Sequence, residues 1–350
     1  MDLKEKILLE NKRKVTKGVI LAGGLGTRFL PATLAIAKEL VTVGSKPILM
    51  YQLEDLYKAG VNDILIVGCD EKRESFYKFI FSDKKVKELT AKGKGVYLTE
   101  YLDLMKNIKI DYIDQFSNKT EVPVEFDADG NVTKTKINVN PYFEMVGSSG
   151  AIMAAREWAN GEPFVVVNGD DLCIYSDGKS VTKEVIDVFA ETGKTVEYAK
   201  EMSRDQIYKY SAIVFGDPVA NGKGFEMLDI VEKPEPGTEP SNFMGFARYV
   251  FAGENEKSFE NPSVFEDILG SKPRANGEYC ITDVVQTRAK RGDGATCIFD
   301  GIYFDCGSKE GYSLANAYVG LIDDSSLNFH ARLRELITIT ENQMNPVKKK

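Results

Sequence analysis

Short runs of core-type residues alternate with amphipathic stretches along the first half of the chain, and few architectures accept that rhythm. "KGVILAGG", "DILIVGC" and "PFVVVNGDD" gather β-branched and apolar residues with no polar alternation, the pattern of strands covered on both faces. "IKIDYID" reads as a further strand. Between them, "PILMYQLEDLYKAG" carries apolar residues at helical spacing and stops at Gly60. "KRESFYKFIFSDKKVKELTAKG" predicts one amphipathic helix or a pair, and "GAIMAAREWA" and "SVTKEVIDVFAETG" predict two more. After about Glu197 the pattern turns strand-rich, with "SAIVFGD", "FEMLDIVEKP" and "FMGFARYVF" separated by loops such as "PEPGTEPSN". Helical spacing returns at "EGYSLANAYVGL" and continues toward "LRELITI".

The expected fold is therefore α/β: a Rossmann-like mixed, mostly parallel sheet flanked by helices, with a smaller strand-rich part and C-terminal helices. The expected boundaries are an N-terminal extension (1–16), one domain (17–336) and a tail (337–350). Within the domain, 116–142 reads as an insertion, 197–310 as the strand-rich part and 311–336 as the C-terminal helices. "VPVEFDADGNVTKTKI" predicts a β-hairpin turning at Asp129-Gly130 or Gly130-Asn131. Its "DADGN" is no EF-hand, because Gly130 stands fourth from Asp127, whereas a calcium loop needs glycine at its sixth position and glutamate at its twelfth.

The 350 residues carry a net charge of −8, which argues against a nucleic-acid partner, whose footprint is basic. No apolar run approaches a membrane span of ~18 residues, and the charged start "MDLKEKILLENKRK" lacks the apolar core of a signal peptide. The five cysteines (Cys69, Cys173, Cys280, Cys297, Cys306) are scattered without a C-x-x-C. Free thiols in a reducing cytoplasm fit this better than zinc or disulfides. The single histidine, His330 in "LNFHARLREL", reads as a structural residue of a helix.

In "VILAGGLGTRFLPAT" the buried strand Val19–Leu21 runs into Gly23, Gly24 and Gly26, and then Arg28. Glycines leave backbone N–H groups open to a close ligand, and an arginine adds a permanent fork of donors, a combination suited to phosphate. The loop lacks the third glycine of G-x-G-x-x-G, since Phe29 stands there, and no G-x-x-x-x-G-K-[ST] occurs. Two acids, Asp170 in "VVVNGDD" and Asp305 in "IYFDCGS", end apparent strands, where ligands of open α/β sheets lie. Two carboxylates with phosphate oxygens suit Mg²⁺. Taken singly, each also reads as a cap or turn residue, and Glu232-Lys233 of "VEKP" as a surface ion pair.

"LAGGLGTRFLPAT", "AKEL", "SKP", "NGDD", "VEKP", "GFARYVF", "EYCITDVV" and "YFDCGSKEGY" follow one another as in sugar-phosphate nucleotidylyltransferases. The chain resembles that family over roughly Lys17 to Leu336, and most of all its bacterial UTP–glucose-1-phosphate uridylyltransferases. The resemblance implies transfer of a nucleotidyl group from an NTP, most readily UTP, to a sugar 1-phosphate such as glucose 1-phosphate. It implies that Ala22, Gly23, Gly24, Gly26, Thr27, Gln115, Gly147 and Gly150 surround the nucleotide. Arg28 and Lys38 then hold its phosphates, and Asp170 and Asp305 bind Mg²⁺. Ser211, Glu232, Lys233 and Gly245 face the sugar phosphate, which makes 197–310 the sugar-binding part. Family members form dimers or tetramers, so a homo-oligomer is expected. No side-chain nucleophile or histidine is needed, because the attacking phosphate is already an anion. The chain departs from the family at Leu34, at Ala37-Lys38-Glu39, at Thr42 and at Tyr210-Ser211-Ala212, while "GSSG" resembles the "GTAG" of mannose-1-phosphate guanylyltransferases. Thymidylyl, guanylyl or cytidylyl transfer, or a non-catalytic sensor, therefore stand as alternatives.

Overall fold

The computed structural model of the protein describes residues 13–127, 130–254, 262–323 and 328–344. Nine strands form the central sheet: β1 (Lys17–Leu21), β2 (Asp63–Gly68), β3 (Lys109–Asp114), β4 (Phe164–Asn168), β5 (Thr195–Glu201), β6 (Ser211–Val219), β7 (Gly224–Glu232), β8 (Phe243–Phe251) and β9 (Gly294–Ile298). Their order is β5-β9-β7-β6-β8-β4-β1-β2-β3, with β8 also pairing β5. The β4-β1-β2-β3 half is parallel, as is the β5–β9 pair. β8 joins β4 antiparallel, and β6, β7 and β8 are antiparallel to their neighbours.

The unbroken apolar runs follow from two buried faces. Ile20, Ile64, Ile66, Val165 and Val167 enter one hydrophobic layer, while Val19, Leu65, Val67, Phe164 and Val166 enter the other. Successive residues of a strand point to opposite faces, so both parities must be apolar here. Helix Ile48–Lys58 seats Leu49, Leu53 and Leu56 in the first layer, and its last turn is followed by Gly60 at φ +87°. Helices Asp70–Ile80 and Asp83–Ala91 form the expected pair, and Thr182–Thr192 is a single helix.

Three segments depart from the expectation. "GAIMAAREWA" is two short helices, Ser148–Met153 and Arg156–Ala159, because the backbone tightens between them, with Ala155 N–H donating to the Ile152 carbonyl. Thr99–Asn107 is a helix that the sequence pattern does not announce. Helices Val264–Gly270 and Ile281–Lys290 interrupt the strand-rich part. The first has a capping box, Ser263 with Glu266, whose S-x-x-E spacing is visible in "SVFE".

The hairpin is present: Lys119–Phe126 pairs antiparallel with Val132–Val139. Asn138 anchors it to β3 through bonds to Asp111 Oδ1 (2.7 Å) and the Tyr112 carbonyl (2.8 Å). Gly130 turns at φ +80°, and Asp127 N–H bonds the Asn131 carbonyl at 2.9 Å. The alternative turn residue, Asp129, lies outside the described residues. All five cysteines are free. His330 lies in the last helix, Phe329–Met344, with Nε2 2.7 Å from the Leu321 carbonyl. No helix among the described residues is long and apolar enough to cross a membrane.

Candidate active site

A cleft of about 690 Å³ lies over the last residues of β1 and β4, Leu21 and Asn168, and extends to the start of β6 and the end of β7. The glycine loop roots it at one end. Ala22 N–H continues the β2 ladder by bonding the Val67 carbonyl at 2.8 Å. The Ala22 carbonyl accepts a bond from Lys72 Nζ at 3.0 Å, and the same ammonium bonds both oxygens of fully buried Glu39 at 3.1 Å. Removing one member of such a pair strands a charge, at a cost of about 3–5 kcal/mol. The buried pair thus pins the point where strand becomes loop.

Gly23, Gly24, Gln115 and Gly147 line the cleft beyond that root. Gln115 ties the segments together. Its Nε2 donates to the Gly147 carbonyl at 2.9 Å, and its Oε1 lies 2.7 Å from where a side chain on Gly23 would begin. Gly26 (φ +68°) opens the short turn Thr27–Phe29, which carries Arg28 into the cleft. Ala22, Gly26, Thr27 and Gly150 do not line it; Gly150 packs behind Gln115, against the Met145 carbonyl.

Arg28, Lys38, Asp170 and Asp305 meet at the centre. Lys38 Nζ bonds Asp170 Oδ2, and Arg28 Nη1 lies 3.7 Å from Asp305 Oδ2. A side chain on Gly307 would collide with Asp170 Oδ2 and stand 3.0 Å from Asp305 Oδ1 and 3.1 Å from Arg28 Nη2. The two carboxylates, far apart in sequence, therefore converge on one small space. Burial alone lowers the affinity of the Lys38 ammonium for its proton, but Asp170, Glu39 and Asp171 more than offset it, so Lys38 is held firmly charged. Burial, with Asp170 next, raises the Asp305 carboxyl. Burial, with Asp170 and Asp305 next, pushes Asp171 up to about 7, and Tyr303 and Asn168 bond its side chain at 2.9 and 3.0 Å. An excess of carboxylate over cation at this point favours a divalent ion. Among the described residues no cluster of three or more acidic, histidine or cysteine side chains is set to hold a metal alone. The donor set fits an ion that takes two carboxylates here and its remaining oxygens from phosphate and water.

The other end gathers Ser211, Glu232, Lys233 and Gly245. Neighbours in a strand point apart, yet Glu232 and Lys233 both face the cleft. The cause is at the end of β7, where Lys233 adopts φ +46° and its N–H bonds the Tyr210 carbonyl at 2.9 Å. Glu232 Oε2 accepts a bond from Thr282 at 2.9 Å.

Residues 17–320 match the nucleotidyl transferase family. The chain belongs to that family. It is 32% identical over 327 residues to UTP–glucose-1-phosphate uridylyltransferase 2 of Staphylococcus saprophyticus, covering 93% of this chain and 98% of that protein. A UTP–glucose-1-phosphate uridylyltransferase of Pseudomonas aeruginosa is 30% identical, covering 85% of this chain and 93% of the relative. An apo UDP-glucose pyrophosphorylase crystal structure superposes with a TM-score of 0.71 at 27% identity, covering 87% of this chain and 98% of that one. A UDP-glucose pyrophosphorylase complexed with UDP-glucose gives 0.68 at 26% identity, with the same coverage.

Several groups of this nucleotidyltransferase site leave little mark in the sequence. The Glu39–Lys72 pair has no signal, because both residues look like surface charges there. Tyr279 seats the "GSSG" segment through its carbonyl to Ser149 N–H (3.0 Å) and its own N–H to the Val146 carbonyl (2.8 Å). It lies in "EYCITDVV", a string that carries the family resemblance without pointing to a role for any one residue.

Proposed function

We propose that this chain is a UTP–glucose-1-phosphate uridylyltransferase, forming UDP-glucose and pyrophosphate. The supporting observation is the convergence of Arg28, Lys38, Asp170 and Asp305 between a glycine loop and the Glu232-Lys233 pair, in a chain whose relatives bear that name. A phosphate oxygen of the sugar 1-phosphate attacks the α-phosphorus of UTP. The new O–P bond forms as the bond to the β-phosphate oxygen breaks, and its electron pair leaves with pyrophosphate.

In this reading Gly23, Gly24 and the Gln115–Gly147 contact seat the base and ribose. Arg28 lies against the β- and γ-phosphates and Lys38 against the α-phosphate, where they balance charge building in the transition state. Lys233 orients the attacking phosphate. Holding the reactants in line supplies about 7–11 kcal/mol of the barrier. Asp170 and Asp305 would hold Mg²⁺, which supplies further neutralisation of phosphate charge when bound. Residues 197–310 form the sugar-binding part, and the hairpin stands beside the base end as an insertion. The chain works on small molecules in the cytoplasm as a homo-oligomer, with helices Lys309–Ile322 and Phe329–Met344 as its contact elements. These leave Leu314, Ile322, Leu336, Ile337 and Ile339 exposed, and sedimentation measures the copy number.

The test is pyrophosphate release with each of four NTPs against a panel of sugar 1-phosphates and Mg²⁺. UTP with glucose 1-phosphate should turn over fastest. Preference for another NTP redirects the assignment, and binding without release makes the chain a sensor.

A further inference from the structure

The sugar end holds a carboxyl that no motif announces. Glu232, Ser211 and Gly245 are register partners across β7, β6 and β8, so they form one row with their side-chain positions on one face. Gly245 leaves a gap in that row. A side chain there would lie 2.6 Å from Ser211 Oγ and 2.7 Å from Oε1 of Glu197, which reaches in from β5. The β5–β8 ladder slips between Glu197 and Tyr198, so that Glu197 pairs Tyr249 while Tyr198 pairs Phe246. The extra residues, Ala247 and Arg248, lie on β8, so β5 keeps its alternation: Val196 and Tyr198 enter the first hydrophobic layer and Glu197 faces the other side of the sheet.

Glu197 is 1% exposed and its Oε2 has no hydrogen-bond partner. Tyr249 bonds the carboxyl, and the charge that acts on it is that of another carboxylate, Glu232. A buried carboxyl without a cation, and with one oxygen idle, is costly to keep. Ser211 cannot relieve it, because its hydroxyl is turned to the Gly245 carbonyl at 3.3 Å.

We propose that Glu197 is a specificity-determining residue of the sugar end, its Oε1, which faces the gap at Gly245, bonding a hydroxyl of the hexose when the sugar nucleotide fills the cleft. This rests on the nucleotidyltransferase reading above. It adds a polar group, supplied from β5 through the gap at Gly245, to those that Glu232 and Ser211 present.

Calorimetric titration of the wild type, Glu197→Ala and Glu197→Gln with UDP-glucose and with UDP tests it. UDP reports the fold and the glycine loop, whereas UDP-glucose adds the hexose. Glu197→Ala should weaken UDP-glucose about 10-fold, the scale of one buried hydrogen bond, and leave UDP within about twofold. Glu197→Gln, which keeps both a donor and an acceptor, should restore UDP-glucose to within about threefold. Equal weakening of both ligands, or of neither, overturns the proposal alone. A wild type that binds UDP-glucose no more tightly than UDP overturns it together with the activity assigned above.

Discussion

At the end of the cleft proposed for the nucleotide, one short stretch from Gly23 to Lys38 supplies both the open backbone and the cations. At the end proposed for the sugar, Ser211, Glu232 and Gly245 are aligned by register across three strands, and Glu197 of a fourth reaches the gap at Gly245. The charge balance differs as well. Arg28 and Lys38 each stand against a carboxylate in the centre, whereas Glu197 faces Glu232 with no cation of its own. A site for a highly charged, invariant triphosphate can be built locally from charge. A site that must tell one hydroxyl pattern from another needs buried, directional groups held by several elements.

If charge governs the first region, Asp170→Asn should be the most damaging change. It removes a carboxylate from the space shared with Asp305, and turnover should fall on the order of 10³-fold or more. Pyrophosphate release measures it, and a melting temperature within a few degrees of the wild type shows that the fold survives. A near-normal rate would take Asp170 out of the chemistry. Lys38→Ala and Arg28→Ala come next, each with a loss of roughly 10²-fold. Arg28→Ala should also raise KM for UTP and leave that for the sugar phosphate nearly unchanged. A rise in both would blur the division between the two regions.

Gly150→Ala probes the seam behind the base. The added methyl would stand 3.3 Å from Gln115 Nε2 and collide with the Met145 carbonyl. Overpacking of this kind costs about 1–3 kcal/mol, and displacing Gln115 should loosen the choice among NTPs by roughly tenfold. An unchanged NTP preference would free Gln115 of a base-reading role. Ser211→Gly is milder. It opens the sugar end next to Gly245, so KM for the sugar 1-phosphate should move a few-fold while that for UTP stays put.

The same contrast explains what is legible in the sequence. The parallel half is readable because strands buried on both faces leave unbroken apolar runs such as "VIL" and "ILIV", and the glycine loop follows the first of these directly. Asp170 and Asp305 are readable as strand-end acids, but nothing local says that they share one space. Glu197 sits in "TVEYAKE", where it looks like an outward polar position of an edge strand. Its burial, in a strand paired by β8 on one side and β9 on the other, leaves no local trace. Glu39 and Lys72 are hidden for a similar reason, since a pair that meets across 33 residues leaves no periodic trace. Helix Ile281–Lys290 escapes a reading by pattern because its residues stand out as a family motif rather than as an element.

The smallest expected effect bears on the buried carboxyl. Burial, and then the Glu232 carboxylate, raise Glu197 well above the ordinary glutamate range, against a partial offset from Tyr249. In the unfolded chain the group loses its proton above about pH 4.3, whereas the folded protein keeps it. The unfolded state thus binds fewer protons, and the wild type loses stability as pH rises through that window, by at most about 1.4 kcal/mol per pH unit. A glutamine side chain has no such proton to lose. Glu197→Gln should therefore melt at a temperature that gains on the wild type by a few degrees between pH 5 and pH 8. Thermal melts of both proteins at matched salt read the difference. A gap that stays flat with pH would mean that the carboxyl ionises as it does in water, and the contrast between a charge-balanced nucleotide end and an acid-bearing sugar end would lose its electrostatic basis.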